Sequence, residues 1–82
     1  MTRSNDMTKA TVLDLVTKGK MVALASGMAE DKGDAIECGR LAFGAAGYLD
    51  AAIALLGAYP ELQDEMYENP EFLSLRRWVR GA

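Results

Sequence analysis

The chain has 82 residues, a formal net charge of −3, one cysteine and no histidine. That length predicts a single domain with a thin core, since a chain of this size hides only about 60–65% of its unfolded surface. The missing histidine removes the commonest general base and transition-metal ligand. A lone Cys38 excludes an internal disulfide, and an acidic balance lacks the charge footprint of a nucleic-acid binder.

Residues 1–5 read as a flexible polar lead-in. The Met1–Met7 stretch has no apolar segment of the signal-peptide kind. Asp6 or Thr8 offers a side-chain oxygen to cap a first helix. Val12, Leu13, Leu15 and Val16 then share one side of a helical wheel. Met21, Val22, Leu24, Ala25 and Met28 point roughly the opposite way. Two readings are open: Gly19 ends one short helix before another, or one long helix is buried on different sides along its length.

Ala29 to Asp34 reads as a turn, with Gly33 suited to positive φ and Asp34 to capping the next helix. Glu37 occupies the position of a capping-box acid. The helix from Asp34 to Tyr59 carries a large-residue face of Cys38, Leu41, Tyr48, Leu49, Ala52, Leu55, Leu56 and Tyr59. A second stripe holds Gly39, Phe43, Gly47, Asp50, Ala54 and Gly57. Small side chains let another backbone come close, so the stripe is either a contact to a second chain or a packing surface for the first helix. A break at Gly47, with Asp50 starting a new helix, is the rival to a continuous segment. If the stripe is buried, Asp50 requires a partner, since an unpaired buried carboxylate is strongly disfavoured. Arg40 and Asp50 also interrupt the most apolar run before it reaches the ~18–20 residues of a membrane span. Gly47 to Ile53, with Ala52 and Leu56, resembles the inter-helix turn of a tetratricopeptide repeat, but Arg40 and Pro60 depart from the pattern and there is no second copy. The chain is not assigned to that family.

Pro60 ends the run and suits the first turn of a new helix. Glu61, Asp64, Glu65 and Glu68 form an acidic face. Asn69 caps the last helix, which closes on Arg76, Arg77, Trp78 and Arg80. These arginines are expected to pair with the Glu61–Glu71 segment. Trp78, unless covered internally, becomes an anchor for a protein partner. Cys38, with no base to activate it, reads as a small buried thiol.

The expected fold is all-α: a long helical hairpin, Asp6–Glu30 and Asp34–Tyr59, closed by two short C-terminal helices, Glu61–Asn69 and Glu71–Arg80, in a small helical bundle. Expected core positions are Leu15, Val22, Leu24, Leu41, Tyr48, Leu49, Ala52, Leu55, Leu56, Leu62 and Trp78. The pattern points to a cytoplasmic, non-enzymatic module without cofactor or metal. It is expected to dock on a larger protein partner as an adaptor, assembly factor or small inhibitor of phage or mobile-element type. It is also expected to form a homo-oligomer, and neither a membrane nor nucleic acid is expected as a partner. Interface candidates are Gly39, Phe43, Gly47, Asp50, Ala54 and Gly57, the acids Asp64, Glu65 and Glu68, and Arg77 with Trp78. The alternative is a small-ligand site between chains, lined by Arg40, Phe43, Tyr48 and Asp50.

Overall fold

The computed structural model describes the backbone of residues 2–81, with side chains from Asp6 to Gly81. It is an all-α bundle: α1 (Thr2–Asp31), α2 (Ala35–Ala58), a 3₁₀ turn (Pro60–Leu62), α3 (Gln63–Tyr67) and α4 (Pro70–Arg80). The two long helices form the hairpin, and the short ones fold back so that α4 rests on both. The molecule is elongated, 48 × 20 × 16 Å, because a 30-residue helix alone is about 45 Å long. The first helix starts at Thr2, not at Asp6 or Thr8. Residues 2–5, read as part of a flexible lead-in, belong to α1; residue 1 and the side chains of residues 2–5 lie outside the described ones.

The hairpin turn is made by two adjacent residues. Gly33 takes φ +79°, a conformation open to glycine without a Cβ clash. Its N–H donates to the Glu30 carbonyl and the Asp34 N–H to the Ala29 carbonyl, both at 2.9 Å. This is the paired closure of a Schellman motif. Asp34 Oδ1 in turn accepts from the Glu37 N–H at 3.0 Å, capping α2. The expected capping box is therefore only half formed. The Asp34 N–H is already taken by Ala29, so the Glu37 carboxylate turns to Arg40 instead.

Both long helices run unbroken through their interior glycines, α1 through Gly19 and α2 through Gly47. No turn occurs at Gly47–Ile53. The buried side of α1 does not switch along its length, as the long-helix reading had it. It runs through Val12, Val16, Gly19, Ala23 and Ser26, steps of four and three residues. The large residues Met21, Leu24 and Met28 are left outside. Small residues win because the helices meet closely. Ser26 Oγ donates to the Cys38 carbonyl across the hairpin at 2.9 Å. A Cβ on Gly19 would lie 2.6 Å from Leu75 Cδ2 and 3.2 Å from Tyr48 Cβ.

On α2 the buried residues are Ala45, Leu49, Ala52 and Leu56. Leu62, Met66, Phe72 and Leu75 complete the core from the C-terminal part. The α2 end is tied down by Gln63, whose Nε2 donates to the Leu56 carbonyl at 2.9 Å. Asn69 Oδ1 caps α4 by accepting from the Glu71 and Phe72 amides. Leu49, Ala52, Leu56 and Leu62 are buried as expected, and Leu15, Val22, Leu41, Tyr48 and Leu55 are half-buried. Leu24 and Trp78 are corrections, at 69% and 41% exposed. Cys38 is half-buried and not enclosed.

Candidate functional site

The outer face of α2 is the most unusual surface. Ile36, Arg40, Phe43, Gly47, Asp50 and Ala54 fall within about 80° of one another on the helical wheel, opposite the buried stripe. Ile36 is 87% and Phe43 83% exposed. A Cβ built on Gly39, Gly47 or Gly57 would meet nothing. The glycine-containing stripe therefore does not pack against α1, which overturns the intramolecular reading of it. Asp50 stands exposed on this face, which removes the burial that would have demanded a partner. Arg40 bonds Glu37 one turn before it; that contact holds the Glu37 carboxyl below, and the Arg40 guanidinium above, its ordinary pKa. Tyr48 lies on the α1 side against Gly19, so it does not join Arg40, Phe43 and Asp50 in one site.

A second apolar surface is a groove of about 190 Å³ between α1 and α4, lined by Lys20, Ala23, Leu24, Gly27, Leu75 and Trp78. It exists because Gly27 and Ala23 are short while Leu24 and Trp78 stand up at its sides. The half-exposed indole is the residue that the sequence pattern places in the core. Its position in the last turn of a short helix leaves one face without a neighbour.

The charged candidates are arranged differently from expectation. Glu65 pairs with Lys9 and Glu71 with Lys20, so the lysines of α1 answer the acidic segment. Asp64 and Glu68 stay exposed. Among the described residues Arg76, Arg77 and Arg80 form no ion pair; with Leu73 they line a shallow basic groove. Lys9 and Lys20 lie on the flank of α1 that these acids face, while Arg77 and Arg80 stand exposed and the half-buried Arg76 has, among the described residues, no hydrogen-bond partner for its enclosed Nε. Arg77 therefore belongs to a surface distinct from the Trp78 groove.

Among the described residues no group of three or more Cys, Asp or Glu side chains is placed to hold a metal. One helix, Ala35–Ala58, is long and apolar enough to cross a membrane by length and composition, which corrects the expectation that its charges made it too short. All eleven interface candidates are exposed, but they occupy three separate surfaces: the outer face of α2, α3, and α4. In comparison with known proteins, the chain matches no family model, no curated protein and no solved structure.

Proposed function

We infer that the chain is a non-enzymatic docking module that binds a larger protein, as an adaptor, assembly factor or small inhibitor. The observation that carries this reading is the placement of large apolar side chains on the outside of a bundle whose close helix contact is made by small ones. Ile36 and Phe43 on α2, and Leu24 beside Trp78 at the α1–α4 groove, stand in solvent while Gly19, Ala23, Ala45 and Ala52 are buried. A small protein rarely leaves contiguous apolar surface uncovered unless a partner covers it. Tryptophan at the edge of a groove is a favoured anchor for such contacts.

The apolar length of α2 does not by itself favour a membrane role. Crossing a bilayer would strip its buried face from α1 and carry Asp50 into hydrocarbon, which is costly. In the inhibitor form of the reading, Asp64 and Glu68 face a basic groove on the partner. The test is affinity capture from the source cells with the tagged chain, compared with its Trp78→Ala and Asp64→Lys/Glu68→Lys variants. A stoichiometric protein on the native chain, lost on Trp78→Ala, supports the reading. Loss on the double lysine variant supports the inhibitor form. Absence of any stoichiometric partner on the native chain overturns it.

A further inference from the structure

The outer face of α2 is self-complementary in charge and in size. Its six residues are placed symmetrically about Ala45: Phe43 and Gly47 two residues to either side, Arg40 and Asp50 five, Ile36 and Ala54 nine. Each symmetric pair joins unlike partners. A large apolar side chain matches a glycine or alanine, and a cation matches an anion. Their spacing of four, three, four, three and four residues is that of a coiled-coil seam.

We propose that α2 docks against α2 of a second copy, antiparallel, about a two-fold axis level with Ala45. The proposal rests on the docking reading above and names one occupant for one of its surfaces. In an antiparallel pair related by a two-fold axis, each residue meets its mirror position on the other chain. Phe43 then seats over Gly47 of the second copy, where no atom of its own chain fills the space. Ile36 seats over Ala54, and Arg40 reaches Asp50. The symmetry repeats every contact, so the seam holds two Phe–Gly, two Ile–Ala and two Arg–Asp pairs.

Arg40 gives one N–H to Glu37 within its own chain, and a guanidinium has further donors left for the second carboxylate. A parallel arrangement is disfavoured by the same residues. It would set Phe43 on Phe43, Arg40 on Arg40 and Asp50 on Asp50, with like charges directly opposed. The seam from Ile36 to Ala54 is about 27 Å long, short for a protein interface. The affinity it supports is therefore in the micromolar range. The groove beside Trp78 contains no residue of α2, so it remains available to a different partner in each copy.

The test is sedimentation equilibrium on the full chain and three variants, with circular dichroism confirming that each is folded. The native chain is expected to be dimeric at about 100 μM. Arg40→Asp and Asp50→Arg are each expected to weaken the dimer about tenfold, since each creates two like-charge contacts. The double variant Arg40→Asp/Asp50→Arg restores the opposed signs and is expected to return to within about threefold of native. A native chain still monomeric at about 500 μM overturns self-docking. A dimer that the single reversals leave intact, or that the double reversal fails to restore, overturns this register. A monomer that nonetheless captures a stoichiometric partner leaves the wider docking reading standing, and a dimer that captures none leaves only the self-docking.

Discussion

Gly19 on α1 faces Leu75 on α4 so closely that a Cβ at position 19 would come within 2.6 Å of Leu75 Cδ2. Leu75 is buried and its terminal methyl would have to shift, while Tyr48 Cβ stands 3.2 Å from the same point. Glycine costs about 1 kcal/mol against alanine inside a helix, but overpacking a buried site costs about 1–3 kcal/mol. Gly19→Ala is therefore expected to lower stability by about 1 kcal/mol. Gly47→Ala, where a Cβ meets open space, is expected to raise it by about 0.5–1 kcal/mol. Urea unfolding of the two variants checks the opposite signs; a stabilised Gly19→Ala chain would contradict the close approach.

The Asp34 cap offers a second check. Its carboxylate satisfies the Glu37 N–H, so Asp34→Ala is expected to cost about 1 kcal/mol. In a domain this small that corresponds to a melting temperature lower by about 4–8 °C. Glu37→Ala leaves the Asp34 cap in place, because the Glu37 carboxylate bonds Arg40 and not the Asp34 amide. Its expected effect is within about 0.5 kcal/mol. Equal losses from the two variants would mean that a full capping box forms.

Glu37 also has a pH signature. Its hydrogen bond to Arg40 lowers its pKa below the ordinary glutamate value; desolvation opposes this, and the Coulomb attraction of the guanidinium adds a smaller lowering. A group with a depressed folded pKa contributes stability above its unfolded pKa, and loses it as pH falls through the folded one. Carboxyl NMR titration of the dilute chain should therefore show Glu37 ionising below the ordinary glutamate value. Arg40→Gln should move it upward. A Glu37 titration unaffected by that change would show the pair to be absent in solution.

Phe72 is the largest fully buried side chain, and its ring lies 5.3 Å from the Tyr67 ring, tilted by 42°. It joins α4 to the rest of the core. Phe72→Ala is expected to cost about 3–5 kcal/mol, a large share of the stability of any domain this thin. Thermal melting should show the helical signal lost well below the native midpoint. Leu73→Ala, one residue along on the exposed side, should stay within about 0.5 kcal/mol of native.

The residues whose effects are local are legible in the sequence. Gly33, Asp34, Pro60 and Asn69 punctuate the chain where the helices begin and end, because a positive φ, a capping oxygen and a missing amide act within one turn. The face of α2 carrying Leu49, Ala52 and Leu56 comes from period alone. Leu24 and Trp78 escape the pattern because apolarity says a residue gains from cover, and not whether a neighbour comes near enough to give it. The pairing of Glu65 with Lys9 and Glu71 with Lys20 joins residues more than fifty positions apart, beyond any local rule.

By itself, then, the sequence determined an all-α chain, the hairpin turn, the starts of α2 and α4, and a split of α2 into two faces, since these depend on propensity, capping and a 3.6-residue period. Tertiary structure alone decided which side of α1 turned inward and how closely the two long helices meet. Closeness of α1 to α2 selects Gly19, Ala23, Ser26, Ala45 and Ala52 for burial, because large side chains would hold the backbones apart. The face of Ile36, Phe43 and Asp50 is thereby left in solvent, free to meet something other than its own chain.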